Sequence, residues 1–287
     1  MFGSSVFPAI DITPKTLEEI AVKQVSRRLT VPGIQIKLSL SLSAIKKERK
    51  LAIVDCPMGY ILKPQAEEAD YPESENLVMI MADLAEIKTV PHGLIELKNG
   101  SLAYLTKRID RNGLTKYPME DFCQLSNRLT ENKYDSSYER CKFVISQYSD
   151  RVVYDETELF IRLLFCFLTC NSDMHLKNFS LIDKGDGYHL SEAYDLLPVN
   201  VVFPLDKEET ALTLNGKKKN LKRKDFLAFA ASGKGQEVLS LKIANGLIDK
   251  LLSYEDAFLT EIDHSYMNEE HKTLFKTMMQ ERFERLK

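Results

Sequence analysis

Between residues 34 and 106 the chain reads mostly as short strands, the first of them with the period of two that a half-buried strand requires, interrupted once by helical spacing. Ile34, Ile36, Leu38 and Leu40 alternate strictly after the turn signal Thr30-Val31-Pro32-Gly33. A second apolar run through Val54 follows the basic Lys46-Lys47-Glu48-Arg49-Lys50, so a hairpin is predicted here. Tyr60-Ile61-Leu62-Lys63-Pro64 reads as a short strand closed by its proline, with a lysine in an otherwise apolar setting. Leu77, Ile80, Met81 and Leu84 share one face of a helix predicted from Glu73 to about Glu86. The Asn99-Gly100 turn joins strands around Leu94–Leu97 and Leu102–Thr106. Upstream, Leu17, Ile20, Ala21 and Val25 fall on one face behind Thr13-Pro14, which predicts a helix ending near Leu29.

Beyond Pro118 the spacing becomes helical, over about Met119–Leu129, Tyr138–Gln147, Glu156–Cys170, Lys224–Ala231, Gln236–Ser253 and Asn268–Arg285. A hairpin, Phe179–Ile182 with Gly187–Leu190, interrupts the series. The expected fold is α+β and bilobed: a small mixed-sheet lobe over residues 1–110 and a larger helical lobe over 111–287. With 287 residues, 44% of them hydrophobic, the chain can bury a core of that size. A net charge of -3 gives no global case for nucleic acid or membrane binding. The most apolar stretch, Leu159 to Cys170, is short and carries Arg162, so it reads as a buried helix and no membrane partner is expected. The five cysteines are odd in number and form no Cys-x-x-Cys pair, which suits buried free thiols in a reducing cytoplasm. The basic run Lys217-Lys218-Lys219-Asn220-Leu221-Lys222-Arg223-Lys224 reads as a solvated loop ahead of a helix, with a phosphate- or partner-binding patch as the sharper alternative.

The chemistry concentrates in Asn171-Ser172-Asp173-Met174-His175-Leu176-Lys177-Asn178-Phe179-Ser180, read with Ala193-Tyr194-Asp195. Asp-x-x-x-x-Asn, followed across a hairpin by another Asp, is the spacing with which protein kinases place a catalytic base and two magnesium ligands around the terminal phosphate of ATP. Asp173 is then the base, and Asn178 and Asp195 offer the oxygen ligands that this hard cation prefers. Lys63 would meet the phosphates, fixed by Glu75 from the following helix, and the turn Pro32-Gly33-Ile34-Gln35 would present backbone N–H groups over them. Singly, each piece has a plainer reading: Lys63 as a strand-edge lysine, Pro32-Gly33 as a turn, Glu75 as a solvated acid, His175 as a loop support. Their order along the chain lifts the set above its members.

In that order, Val31-Pro32-Gly33-Ile34-Gln35-Ile36-Lys37-Leu38-Ser39, Ile61-Leu62-Lys63-Pro64, Arg108-Ile109-Asp110-Arg111, Glu120-Asp121-Phe122-Cys123-Gln124, Asp173 to Ser180 and Tyr194-Asp195 resemble the successive signatures of HipA-type toxin serine/threonine kinases. The resemblance implies a protein-kinase-like fold that uses ATP and Mg2+ and phosphorylates a protein; known members act on aminoacyl-tRNA synthetases. It also implies that Pro32 to Lys37 form the phosphate loop, that Lys107, Arg108 and Ile109 form the hinge beside adenine, and that Asp110 contacts ribose. His175 and Lys177 would add nucleotide contacts. Thr30 falls where members carry an autophosphorylated serine, and phosphorylation there would be inhibitory. Fewer than thirty-five residues precede Gly33, where long members carry a further subdomain, so the chain resembles the short HipT type. That type works with a separate small antitoxin equivalent to the subdomain and with a helix-turn-helix repressor, and meets DNA only through the repressor. A small-molecule kinase with the same Asp, Asn and Asp, and a nucleotide-binding pseudokinase, are the alternatives.

Overall fold

The computed structural model describes residues 9–10, 37–45, 48–53, 59–65, 70–233 and 239–287. The expected helix before Leu29, Thr30 and the turn from Pro32 to Ile36 lie outside the described residues. The chain divides into two compact units, one of Met1–Asn76 with Val90–Lys116 and one of Leu77–Thr89 with Tyr117–Lys287.

The first unit is built on a six-stranded sheet of β1 (Ala9–Ile10), β2 (Leu38–Ile45), β3 (Glu48–Ile53), β4 (Tyr60–Pro64), β5 (His92–Glu96) and β6 (Leu102–Lys107), in the order β1-β3-β2-β4-β6-β5. Every pairing is antiparallel except β1 with β3. Register puts Leu38 opposite Leu62 and Leu62 opposite Leu105. These leucines, with Leu40, Leu51 and Ile95, form one buried cluster. A period of two then sends the intervening residues to the other face, where Lys63 stands opposite Tyr104. The Asn99-Gly100 turn forms as its sequence predicts, with Gly100 at φ 81. A small ribbon, β7 (Arg111–Asn112) with β8 (Thr115–Lys116), follows around Gly113. Helix α1 (Tyr71–Leu84), whose residues from Leu77 on belong to the second unit, buries Leu77 and Met81 of the predicted face, while Ile80 is half-buried and Leu84 is exposed.

The second unit is largely helical. The predicted helix Met119–Leu129 is instead strand β9 (Met119–Asp121) followed by one turn, α2 (Phe122–Leu125). Met119, Glu120 and Asp121 pair with Ile182, Leu181 and Ser180 of β10 (Ser180–Asp183), and Asp121 then caps the turn in a reciprocal box with Gln124. Tertiary pairing overrides the helical spacing here. Strand β11 (Tyr188–Leu190) completes this three-stranded sheet.

Around it stand α3 (Tyr138–Tyr148), α4 (Val152–Leu168), α5 (Val199–Val202), α6 (Arg223–Ala231), α7 (Leu241–Leu252), α8 (Glu255–His264) and α9 (Glu269–Leu286). Residues 234–238, where the expected helix Gln236–Ser253 begins, lie outside the described residues. Helix α8 escapes sequence reading because only Phe258 and Ile262 bury, too narrow a stripe to register as periodic. Helix α4 is the hub. Its second half is buried on every side, and its rings meet partners from two other helices: Phe160 with Phe229 at 6.4 Å and Phe167 with Phe226 at 5.3 Å, both on α6, and Phe165 with Phe258 of α8 at 5.9 Å. Arg162 is accommodated within this apolar helix by giving one N–H to Ser191 O at 2.6 Å and pairing with Glu158. Among the described residues no helix is long and apolar enough to cross a membrane.

Helix α4 ends in a Schellman motif. Asn171 N donates to Cys166 O at 2.9 Å and Cys170 N to Phe167 O at 3.3 Å, with Cys170 left-handed at φ 61. Arg282 of α9 gives a second anchor: its guanidinium donates to Phe167 O at 2.7 Å and to Asn200 Oδ1 at 2.6 Å while lying over the Phe167 ring. A buried cation at a helix C-terminus is favoured by the helix dipole as well as by these bonds. Replacing it with Met keeps the stem, removes the donor from Asn200 Oδ1 and leaves Phe167 O with only the long bond from Cys170 N. Arg282→Met should therefore cost about 2–4 kcal/mol, read as a lowered denaturant midpoint at unchanged m-value. An unchanged midpoint would show that the guanidinium contributes nothing net.

Candidate functional site

The loop after α4 is shaped before any ligand arrives. Cys170 turns the chain out of the helix, and Asn200 N donates to its carbonyl at 3.1 Å. Asn171 Oδ1 then accepts from Asp173 N at 3.1 Å, and Ser172 Oγ donates to Asp206 Oδ2 at 2.6 Å. Met174, Leu176 and Phe179 are buried apolar anchors, while Asp173 and Lys177 remain partly open to solvent. Phe179 stacks on Phe122 at 5.6 Å, and its carbonyl accepts from Phe122 N at 2.9 Å. The motif thus alternates residues that fasten the loop with residues that can act.

The five-residue offset from Asp173 to Asn178 closes on itself. His175 N donates to Asp173 O at 2.8 Å, Asn178 N to His175 O at 2.9 Å, and Asn178 Nδ2 to Asp173 O at 2.8 Å. With its NH2 group engaged, Asn178 keeps Oδ1 as an acceptor with no hydrogen-bond partner among the described residues. Asp195 follows a short bridge between Thr89 and Ala193 and takes a left-handed backbone at φ 55, a conformation Asp tolerates better than most residues. Its neighbour Tyr194 hydrogen-bonds Ser180 Oγ at 2.6 Å and Lys177 O at 3.2 Å, which ties this segment to the loop. Asp195 is near enough for its charge to bear on His175.

These residues fit a magnesium ion. Asn178 Oδ1 and the Asp195 carboxylate are hard oxygen donors, and Mg2+ commonly takes only one or two protein carboxylates and completes its octahedron with water and substrate phosphate. Among the described residues no cluster of three or more His, Cys, Asp or Glu side chains could hold a metal by itself. His175 is buried, with Nδ1 lacking a hydrogen-bond partner among the described residues. Burial pushes its pKa down, against the pull of the Asp173 charge, which favours a neutral ring. Lys177 Nζ pairs with Asp121 Oδ2 at 2.6 Å, so its charge is already partly balanced.

In the first unit Lys63 and Glu75 form a buried ion pair, Nζ to Oε1 at 2.6 Å, with the ammonium 5.4 Å from the Tyr104 ring centroid. Strand β4 and the start of α1 therefore supply a lysine with a fixed orientation. Lys37 is exposed just ahead of β2, and Lys107 ends β6. Arg108 grips Asp110 with both forks, at 2.8 and 2.6 Å. Burial alone would raise the Asp110 carboxyl, but Arg108 and Arg111 outweigh it and hold the carboxyl below its usual range. Ile109 lies half-buried between them.

Several residues that shape the loop carry no sequence signal. Arg282 and Asn200 lie in segments that read as ordinary packing, and Tyr134, whose hydroxyl donates to Asp173 Oδ1 at 2.6 Å, sits in a polar loop without periodicity. The basic run is substantially neutralised: Lys217 pairs with Asp225 at 2.7 Å, Lys218 with Glu208 at 3.0 Å and Arg223 with Asp249 at 2.7 Å. Those pairs favour the solvated-loop reading over a phosphate patch.

A sequence profile of the HipA-like C-terminal domain matches residues 29–257. Y4dM of Sinorhizobium fredii, named as an inferred kinase, is 30% identical over 80% of this chain and 60% of its own length. A Haemophilus influenzae protein, also named as an inferred kinase, is 31% identical over 64% of this chain and 57% of its own. The chain thus spans under two thirds of these relatives. Among solved structures, HipA of Shewanella oneidensis MR-1, in a complex with HipB and operator DNA, superposes with a TM-score of 0.74 at 18% identity over 93% of this chain and 70% of its own. The Helicobacter pylori proinflammatory kinase CtkA gives 0.58 at 16% identity, over 87% of this chain and 93% of its own. At such identities the likeness is one of fold, and the fold is HipA-like and protein-kinase-like.

The neutralised basic run gives a pH prediction. Burial would raise the Asp225 carboxyl, but hydrogen bonds from Lys217, Asn215 and the Lys222 amide outweigh it and lower its pKa. A carboxyl lowered in the folded state stabilises above its unfolded value, about 3.9, and that stabilisation is lost as pH falls through the folded value. Asp225→Asn should therefore be less stable than wild type at pH 7, by about 1–3 kcal/mol, and the gap should close below about pH 4. Denaturant melts of both chains at each pH check this; a gap that persists in acid would contradict it.

Proposed function

Because the chain belongs to the HipA-like C-terminal domain family, we propose that it is an ATP- and Mg2+-dependent protein serine/threonine kinase acting as the toxin of a bacterial toxin–antitoxin system. The observation that carries this reading is the closed turn joining Asp173 to Asn178, which leaves the Asp173 carboxylate partly open to solvent and the Asn178 amide oxygen without a hydrogen-bond partner among the described residues, on a loop otherwise fastened to the core. In this reading Asp173 accepts the proton of a protein hydroxyl as its oxygen bonds to the terminal phosphorus of ATP and the bond to the ADP oxygen breaks. Asn178 and Asp195 hold Mg2+, which supplies charge neutralisation on the phosphates. Lys63, fixed by Glu75, meets the same phosphates.

The remaining assignments belong to the same proposal. Pro32 to Lys37 cover the phosphates; Lys107, Arg108 and Ile109 flank adenine; Asp110 meets ribose; His175 and Lys177 add nucleotide contacts. Residues 1–110 thereby serve the nucleotide and residues 111–287 the transfer. Thr30 is the autophosphorylation site that switches the kinase off, since about 1.5 to 2 negative charges beside the ATP phosphates oppose binding. In the same proposal the chain, like the HipT-type members it resembles, pairs with a small separate antitoxin and a helix-turn-helix repressor, through which it reaches DNA, and it phosphorylates a translation protein such as an aminoacyl-tRNA synthetase. The HipB and operator DNA found with the Shewanella protein support a repressor partner.

The test is incubation of the chain with labelled ATP, Mg2+ and a host lysate, followed by identification of the labelled band. Asp173→Asn should lower transfer about 10²- to 10⁴-fold while ATP affinity stays nearly constant. Asp195→Asn should weaken Mg2+-dependent ATP binding itself. Substantial transfer by Asp173→Asn would remove the base from the mechanism.

A further inference from the structure

Tyr134 precedes Asp173 by 39 residues and belongs to neither the expected nucleotide contacts nor the metal ligands. Its hydroxyl donates to Asp173 Oδ1 at 2.6 Å, and among the described residues no other group hydrogen-bonds that carboxylate. The ring is partly exposed, yet its hydroxyl is engaged by this carboxylate and not left to solvent.

The segment around Tyr134 is fastened to the loop at two further points. Leu176 N donates to Lys133 O at 3.3 Å, and the buried Tyr138 hydroxyl donates to Met174 O at 3.0 Å. Residues 133 to 138 thus reach residues 173, 174 and 176 by three separate bonds, one of them to the carboxylate itself. The Tyr134 ring meets the His175 ring edge-on, with centroids 5.0 Å apart at 74°, and Lys133 Nζ lies 4.9 Å from its centroid. A 3-10 turn at Thr130–Asn132 and the Ser137 cap of α3 fix the segment at either end.

The terminal torsion of an aspartate is broad, so a carboxylate bound only through its backbone can swing. Catalysis requires its geometry to be held within about 10–20°. We propose that Tyr134 is a positioning residue for phosphoryl transfer: its phenol O–H fixes Oδ1 of Asp173 and so presents Oδ2 to the attacking hydroxyl. This role rests on the kinase reading of the same loop. Burial, the hydrogen bond to Asp173 and the charge of that carboxylate all push the Tyr134 phenol above its ordinary pKa, so it remains the donor. The rigid ring, with two torsions of its own, brings that donor in at a fixed height, and the fastening at Lys133 and Tyr138 keeps it from acting as a swinging plug.

The experiment is Tyr134→Phe in the full chain, which keeps the ring and removes the donor. Kinetics with ATP and the phosphoacceptor should show kcat falling about 10- to 100-fold, with KM for ATP unchanged to within about twofold. The thermal midpoint and ATP affinity, measured on the same protein, separate loss of positioning from loss of fold. In an Asp173→Asn background the same substitution should alter the residual rate by less than about twofold, because the effect runs through that carboxylate. A kcat within about twofold of wild type, or a faster one, overturns the role. So does an equal loss in both backgrounds. If the wild-type chain transfers phosphate to no acceptor, the kinase reading falls and the positioning role falls with it.

Discussion

A buried helix has to stop where Cys170 stands, and most of what can act in the second unit depends on how it stops. The left-handed turn satisfies two of the last carbonyls of α4, Cys166 O and Phe167 O, from within the chain, and Arg282 gives the second of them a further and shorter bond from a distant helix. Glycine is the common residue at such a position because it has no Cβ. Here Cys170 is fully buried, so its side chain also packs, and the backbone cost of a left-handed residue is set against apolar contact. Everything from Asn171 to Ser180 inherits its direction from that turn. The loop can then be rigid with few bonds of its own, since both of its ends are already fixed.

Three buried cations among the described residues follow one rule. Lys63 has Glu75, Arg162 has Ser191 O and Glu158, and Arg282 has Phe167 O and Asn200, each with specific geometry in a place that water does not reach. Such pairs add little net stability, because desolvation offsets the attraction, yet removing one partner is costly. They serve chiefly to fix orientation. Asp173 stands at the opposite extreme, partly solvated and held by a neutral phenol, which leaves its charge available to chemistry.

The parts of the fold that repeat were legible in the sequence, and the parts that join were not. Alternation around Leu38, Leu40 and Leu62, the Asn99-Gly100 turn and the apolar length of α4 each announce themselves locally. Met119-Glu120-Asp121 does not, since its helical spacing is overruled by pairing with Ser180, Leu181 and Ile182, some sixty positions on, which no local pattern reveals. The site divides in the same way. Asp173, Asn178 and Asp195 are proposed from the sequence alone because their spacing is that of a motif. Tyr134, Asn200 and Arg282 are ordinary residue types in ordinary surroundings, and only the folded chain brings them to the loop.

The Arg282 bond also bears on when the loop can take shape. It joins residues 115 positions apart, and the partner comes from α9, the last helix in chain order. Synthesis proceeds from the N-terminus, and contacts of such separation form after local ones because loop closure must precede them. While a nascent chain still lacks α9, the end of α4 has its own Schellman bonds but not the guanidinium that completes them. The loop carrying Asp173 is therefore finished only once α9 has been made, so a chain that stops short of that helix has an incompletely braced centre.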